Sequence, residues 1–446
     1  MKWNINSFLK STRKGVISEL SISRSDYDTL VTSRRIIRKA IRQMFSDIRQ
    51  ALSARSSERQ SKLLKSLPKE IVDAILMLES HQQNMIGKLR PVFFTQGSFT
   101  YGTLNRPAFP PEQQLDLDDG VYLPIEFFEN SPVVGKNVFF LIIDTVLTRL
   151  CEENSKWEGP SFKTTCARIN VAPHIHIDIP LYAIPEDEYE NLEKSRQNKT
   201  LMLESLSKSS SYDDLYTRFL DSINESVATN QYSAYAESRY LSPDKIYLAK
   251  RDDKEHWMPS DPALVARWFE NAALEHGKAL VNTCRYLKAW RDTTYSPGCS
   301  GGPTSLTLMA CAVATLDNYN GDTLDDHGAL LLCTEALPQQ LRAGVPSPDP
   351  SDGRNLFPKG GMKQHEIEDI IQKAQALYAN LRHGTYQAET QEESKRNIAA
   401  GIGVHVRPVP AELIIPHTAY TEVVATPVTK KPSREVPNLR SGANNE

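Results

Sequence analysis

Apolar residues recur at spacings of mostly three or four between Ser25 and Leu52, at Leu30, Ile37, Ile41, Phe45, Ile48 and Leu52, which predicts one long amphipathic helix. Its other face carries Arg34, Arg35, Arg38, Lys39 and Arg42, a row that fits a solvated face or an anion or effector site. Lys69 to Ser80 predicts a second helix. The apolar run from Arg90 to Thr95 reads as a strand that breaks at Gly97 before a segment with helical potential, Ser98 to Leu104. Asn137 to Glu152 is apolar enough to be a helix packed on a sheet. Thr164 to Val171 and the run after Pro173 predict a hairpin closed at Ala172-Pro173. In its second arm Ile175, Ile177 and Ile179 share one face and His174, His176 and Asp178 the other, the alternation of a half-buried strand.

Residues 186 to 258 are polar and rich in Ser, Asp and Tyr, and predict helices and loops bridging two lobes. Beyond Ser260 the segments Pro262 to Ala289, Ser305 to Tyr319, Leu324 to Leu341 and His365 to His383 read as helices. From about Thr385 the periodicity dissolves, and Pro408, Pro410, Pro416, Pro427, Pro432 and Pro437 mark a tail with little means of forming a core. The expected architecture is α+β: a mixed or antiparallel sheet lobe over residues 1–258 with its long N-terminal helix as a brace, a helical lobe over 259–385, and a Pro-rich disordered tail over 386–446.

Candidate chemistry concentrates in Leu115-Asp-Leu-Asp118. Two carboxylates two residues apart leave the same face of a strand while Leu115 and Leu117 enter the core. Such a pair can bridge two divalent ions about 3.5 to 4 Å apart, the arrangement that activates an attacking hydroxyl and steadies a leaving pyrophosphate. Asp178 is the candidate third carboxylate and the acceptor of the hydroxyl proton. The turn Gln96-Gly97-Ser98 offers backbone N–H groups and a hydroxyl to β- and γ-phosphates. His174 and His176 raise the question of zinc, but no cysteine pair at zinc spacing lies nearby, and the histidines are expected to line or flank a groove. Asp119 follows Asp118 directly and should face the opposite side of the strand.

Arg285, Lys288 and Arg291 recur every three residues and form a basic stripe on an amphipathic helix, either solvated or turned to a triphosphate, for which Lys288 supplies a point charge. Ser260 and Ser305 each fit a helix N-cap or a nucleotide contact. A chain of 446 residues buries a sizeable core, and its net charge of −3 argues against general nucleic-acid affinity. Six scattered cysteines point to reduced thiols, no apolar run reaches transmembrane length, and the N-terminus lacks a signal-peptide core, so a cytoplasmic location is expected.

Several blocks together resemble the bacterial cGAS/DncV-like nucleotidyltransferases, in the branch that makes 3',3'-cyclic GMP-AMP. They are Gln96-Gly-Ser-Phe-Thr-Tyr-Gly-Thr-Leu-Asn-Arg-Pro107, Leu115-Asp-Leu-Asp-Asp-Gly-Val-Tyr-Leu-Pro124 and His176-Ile-Asp-Ile-Pro-Leu-Tyr-Ala-Ile-Pro185 in the first half. Ser260-Asp-Pro, Arg285-Tyr-Leu-Lys-Ala-Trp-Arg-Asp292, Gly301-Gly-Pro-Thr-Ser-Leu306 and Val345-Pro-Ser-Pro-Asp349 follow in family order. The resemblance covers about residues 27–385 and implies a polymerase-beta-like catalytic lobe, Mg2+ with Mn2+ as a substitute, and ATP and GTP as substrates. By the resemblance, Asp116, Asp118 and Asp178 are metal ligands, Gln96 to Tyr101 hold the donor triphosphate with Tyr101 near a base, and Arg168, Ser260, Lys288, Ser305 and Asp349 contact nucleotides. It further implies a linear intermediate that is then closed into a ring, and a product that acts on a downstream effector in antiphage (CBASS) defence. A linear RNA or oligoadenylate synthase and a catalytically silent nucleotide sensor are the alternatives.

The chain also departs from its relatives. It has no His and Cys cluster like that with which animal cyclic GMP-AMP synthases hold double-stranded DNA, so no DNA activator is expected. Val92 and Phe94 stand where near bacterial relatives carry an arginine and a tryptophan for folate-like inhibitors. A ubiquitin-transferase-like partner conjugates the C-terminus in related systems, whereas this chain ends Ala443-Asn-Asn-Glu446.

Overall fold

The computed structural model describes residues 2–417 except 55, 129–131, 188, 190–245, 253–255, 296–301 and 351. Most of the bridging segment and the last 29 residues, with Pro427, Pro432, Pro437 and the expected conjugation handle, thus lie outside the described residues.

The long helix forms as its periodicity dictates. It spans Arg24–Leu52 (α3, after the short helices α1, Asn6–Lys10, and α2, Val16–Leu20), and Ser23 caps it by accepting the Asp26 N–H at 3.0 Å. Leu30, Ile37, Ile41, Phe45 and Ile48 are buried along one stripe. The basic row is only partly solvated, which corrects the simpler expectation. Arg35 and Lys39 are exposed, but Arg34, Arg38 and Arg42 lie one turn apart and face the sheet. Arg34 donates to Thr95 Oγ1 at 2.9 Å, Arg38 pairs with Asp119, and the Arg42 guanidinium sits 4.6 Å from the Phe93 ring centroid.

The sheet has seven strands. Its main path runs β2 (Val92–Gln96), β3 (Leu115–Pro124), β6 (Ile175–Ile184), β5 (Cys166–Ala172), β4 (Glu158–Phe162), with β7 (Tyr247–Ala249) added to β6 and β8 (Trp257–Pro259) added to β7. Every pairing is antiparallel except β3 with β6. The expected hairpin is present as β5 and β6. Its second arm is not half-buried, however: all ten residues of β6 are buried, because it lies between partners on both sides and under helices, as parallel pairing generally demands. Helices α3 and α7 (Pro132–Glu153, following α4, Ser57–Ser66, α5, Lys69–Leu76, and α6, Ser80–Ile86) pack against the sheet and share one core with it.

The second core is helical. It is built from α8 (Pro262–Thr294), α9 (Ser305–Asp317), α10 (Asp326–Ala343) and α11 (Gln364–Tyr386), close to the four periodic segments expected. Within α8 the backbone breaks at Gly277, where φ is 68°. Two features were not foreseen. Trp3, Ile5, Phe8, Leu9, Val16, Ile17 and Leu20 insert into this helical core, not that of the sheet. And the expected tail is folded as far as residue 416: α12 (Gln391–Ile402) is capped by Thr390, and β9 (Ile415–Pro416) pairs with β1 (Trp3–Asn4). Ile398, Ile402, Val406, Val409 and Ile414 are buried there, while Pro410 precedes a short 3-10 turn, so the prolines punctuate ordered segments instead of dissolving them. Among the described residues no helix is long and apolar enough to cross a membrane.

Because Ile398 is fully buried, Ile398→Ala should lower the unfolding free energy by about 2–5 kcal/mol. Urea denaturation measures this; an unchanged midpoint would mean that this helix contributes nothing to the core.

Candidate active site

Strand β2 ends in a turn whose shape depends on glycine. Gly97 has φ 74°, and a Cβ there would run into Asp118 Oδ2. The segment after it is a single 3-10 turn, Gly97–Phe99, and not the helix expected over residues 98–104. Tyr101 N–H bonds to Gly97 O at 3.1 Å and Thr103 N–H to Ser98 O at 3.0 Å, so the chain curls back over Ser98. The Gln96 amide faces inward: its Nε2 donates to the Tyr182 hydroxyl at 2.8 Å and its Oε1 accepts from Tyr122 at 3.1 Å. Those two tyrosine rings stack 4.6 Å apart. Gln96 therefore anchors the turn from below.

The carboxylates come together through strand register. In the parallel pairing of β3 with β6, Asp116 lies opposite His176 and Asp118 opposite Asp178, while Asp178 faces Arg168 on its other side. Arg168 grips both oxygens of Asp178, at 2.6 and 2.7 Å. Burial, and then the charges of Asp116 and Asp178, hold the Asp118 carboxyl well above the usual carboxylate range. Asp119 points the other way, as its position requires. It is fully buried, bonded by Arg38 Nε at 2.7 Å and by Thr95 Oγ1 at 2.9 Å.

The histidines separate. His174 pairs with Asp26 at 2.9 Å, at the start of α3, whereas His176 does more than flank a groove: its Nε2 lies 2.9 Å from Asp116 Oδ1. Asp116, His176 and Asp178 each present a ligand atom, and these atoms fall within 4.8 Å of one another. The donor set suits a divalent ion. Among the described residues Asp116 Oδ1 is buried with no hydrogen-bond partner beyond its 2.9 Å approach to His176 Nε2, and the negative charge that adds to burial in raising Asp118 is what a cation would relieve. Sequence alone could not single out His176, since its neighbour Asp116 is 60 positions away and becomes one only through the β3–β6 register.

The helical lobe supplies the opposite wall. Of the basic stripe on α8, Arg285 and Lys288 are buried and Arg291 is half-buried. Arg285 exchanges hydrogen bonds with Asn105, and Lys288 Nζ donates to the Thr103 carbonyl at 2.7 Å, so both hold the segment after the glycine turn. Burial, followed by Arg291, pushes the Lys288 ammonium down to about 8. Tyr101 packs 5.8 Å from Phe269 in the helical core, and burial raises its phenol.

The two serines are not caps. Asp261 caps α8 through the Leu264 N–H at 2.8 Å, and Thr304 caps α9 through the Thr307 N–H at 3.1 Å. Ser260 donates its backbone N–H to Ile246 O, beside a buried Asp349 whose Oδ2 accepts the Asp261 N–H at 3.1 Å. Ser305 Oγ accepts from Arg291 at 2.8 Å. Asn105, Arg291 and Arg38 position these groups and stood in the sequence without a signal for their partners.

Comparisons with known proteins agree along the whole length. Residues 91–182 match the family model described as the nucleotidyltransferase domain of cyclic GMP-AMP synthase, DncV-like, and residues 277–416 match that described as the C-terminal domain of cyclic GMP-AMP synthase. A cyclic GMP-AMP synthase of Escherichia coli is 33% identical, over 97% of this chain and 98% of its own length. A cyclic GMP-AMP synthase of Vibrio cholerae is 31% identical over 99% of this chain and 100% of its own. The crystal structure of the Vibrio cholerae cyclic AMP-GMP synthase in complex with the linear intermediate 5'-pppA(3',5')pG matches with a TM-score of 0.71 at 30% identity, covering 94% of this chain and 100% of that one.

Gly97→Ala should drive the turn against Asp118 and lower nucleotidyl transfer about 100-fold or more in a steady-state assay, with the fold retained by circular dichroism. Unchanged turnover would remove the turn from the site. Because the Asp118 carboxyl is raised in the fold, its contribution to stability is present at pH low enough to protonate it and is lost as the pH rises through the folded value. Asp118→Asn should therefore raise the thermal midpoint of metal-free protein at pH 8; a lower midpoint would contradict the crowding.

Proposed function

The chain belongs to the bacterial cGAS/DncV-like nucleotidyltransferases, and on that premise we propose that it is a cyclic dinucleotide synthase that joins ATP and GTP into 3',3'-cyclic GMP-AMP with release of pyrophosphate. The observation that carries this reading is the convergence of Asp116, Asp118 and Asp178 directly beneath the Gly97 turn, under a second lobe matched to the family as far as residue 416.

Mg2+, with Mn2+ as a substitute, would be held by Asp116, Asp118 and Asp178 and would supply charge for the triphosphate and the attacking hydroxyl. The protein's own groups do the rest. Backbone N–H groups of the Gly97 turn and the Ser98 hydroxyl bind the donor phosphates, and Gln96 keeps the turn seated on Tyr122 and Tyr182. Asp178 takes the proton of the ribose hydroxyl on a carboxylate oxygen. Arg168 now occupies both of those oxygens, and a phosphate, which also suits a guanidinium fork, draws it away as the nucleotide enters. Lys288 and Tyr101 hold the turn against the helical lobe, and family membership supports nucleotide contacts for Ser260, Ser305 and Asp349.

Two transfers occur in one groove. A linear dinucleotide triphosphate forms first and rebinds in the opposite sense for ring closure, a course supported by the linear intermediate in the Vibrio cholerae relative. The product serves as a cytoplasmic second messenger in antiphage defence, read by a cyclic-nucleotide-responsive effector, with no DNA activator; family membership supports this role.

Incubation with Mg2+ and all four nucleoside triphosphates, followed by mass spectrometry and linkage-specific nuclease digestion, should reveal one phosphatase-resistant cyclic product from ATP and GTP. Asp116→Asn should lower its formation more than about 100-fold. Linear oligomers alone would mark a template-independent nucleotidyltransferase, and no product at all a nucleotide sensor.

A further inference from the structure

Between the glycine turn and the strand that carries Asp116, the chain is stitched to α8 at three points. Lys288 Nζ donates to the Thr103 carbonyl at 2.7 Å, Asn105 Nδ2 to the Arg285 carbonyl at 2.8 Å, and Gln113 Nε2 to the Asp292 carbonyl at 2.6 Å. The last lies closest to the chemistry, because β3 begins at Leu115. Both ends of the Gln113 amide are in use. Its Oε1 accepts the Ala108 and Phe109 N–H groups at 3.0 and 3.3 Å, which folds the exposed loop Pro110 to Glu112 back on itself. Only the amide oxygen can accept, so these two bonds fix the orientation that points Nε2 at α8. Asp292 lies in the last turn of that helix, where carbonyls have no partner further along the helix, and Gln113 supplies one from the sheet lobe. The adjacent Gln114 reaches the other way. Its Nε2 donates to the Pro173 carbonyl at 3.1 Å, in the turn between β5 and β6.

We propose that Gln113 is a positioning residue that ties the catalytic strand to the last turn of α8 and thereby favours ring closure over release of the linear intermediate. The inference rests on the two-transfer reading given above. The turn of α8 that Gln113 holds also carries Arg291, whose Nη1 donates to Ser305 Oγ at 2.8 Å, and Lys288 lies one turn before it. The amide thus sets the distance between the β3 carboxylates and the part of the helical lobe for which family membership supports nucleotide contacts. Ring closure joins the free ribose hydroxyl of the linear dinucleotide to its own α-phosphate, breaks the α–β phosphoanhydride bond and releases pyrophosphate, with the proton passing to Asp178. The two transfers do not depend equally on that distance. In the first, two separate nucleotides each settle into place, whereas in the second both ends of one covalent chain must meet at the same carboxylates. Two free molecules can follow a slackened wall; one of fixed length cannot.

Single-turnover quenching of the full chain with Mg2+, ATP and GTP, with linear and cyclic products resolved by chromatography, measures the two steps separately. Gln113→Met, which removes donor and acceptor together, should slow ring closure about 10-fold or more and the first transfer less than about 3-fold, so that linear product accumulates. Gln113→Glu keeps an acceptor for Ala108 and Phe109 but sets a carboxylate oxygen against the Asp292 carbonyl, and should give the same partition. Hydrogen exchange over residues 103–114 reads the tie without turnover and should quicken in both variants, with helix content unchanged by circular dichroism. Equal slowing of both steps, the wild-type ratio of linear to cyclic product in either variant, unchanged exchange, or lost helix content in both variants overturns the proposal. Each of these leaves the wild-type cyclic product, and with it the synthase reading, in place. A wild-type chain that makes no cyclic product instead overturns that reading and takes this inference with it.

Discussion

Two strands that run in the same direction, in register, set the chemistry of this molecule. On one face of β3 and β6 the side chains Leu115, Leu117, Ile175, Ile177 and Ile179 are at most 1% exposed, and this packing locks the pairing. On the other face the same register delivers Asp116 beside His176 and Asp118 beside Asp178. A slip of one residue would send the carboxylates into the hydrocarbon core and the leucines into the site, so burial of one face specifies the other. The charge that accumulates is not neutralised by the strands themselves. Arg168 satisfies Asp178, while Asp118 remains in a crowded, partly desolvated place.

Asp119 shows how the rest of the fold supports that register. It points away from the site into the sheet, where a lone carboxylate would be destabilising, and Arg38 and Thr95 meet it there. Arg34 joins them through Thr95. The long helix thus braces the catalytic strands by ionic contacts as well as by its apolar stripe. On the opposite side α8 reaches the segment after the glycine turn through Arg285 and Lys288, and Arg291 reaches α9 through Ser305. Because residues 3–20 and 398–414 share the core in which α8 is packed, both ends of the described chain help to hold that wall of the groove in place.

Much of this was legible in the sequence wherever a period or an alternation was strong. The stripe of α3, the hairpin β5–β6, the four helices of the second lobe and the placement of Asp116 and Asp118 on one strand face all follow from spacing. What was hidden depended on partners distant in sequence. The arginines of α3 fitted a solvated face, and the basic stripe of α8 stayed open between solvent and a triphosphate, because periodicity shows which face a residue occupies, not what covers it. Ser260 and Ser305 fitted a cap as well as a nucleotide contact because serine suits both, and Asp261 and Thr304, each one residue away, do the capping. The segment 391–416 was obscured by its prolines, although Ile398, Ile402, Val406 and Val409 keep a spacing of three or four. His176 was set aside because sequence offers no view of the neighbouring strand.

The central claim is that the face shared by β3 and β6 is where metal and triphosphate meet. A crystal structure of the full chain with Mn2+ and non-hydrolysable ATP and GTP analogues, with anomalous maps recorded near the manganese edge, tests it most directly. Anomalous peaks bounded by Asp116, Asp118 and Asp178, with donor phosphates against Gly97 and Ser98, are the expected result. Manganese bound elsewhere, or nucleotides seated away from that turn, would contradict the account.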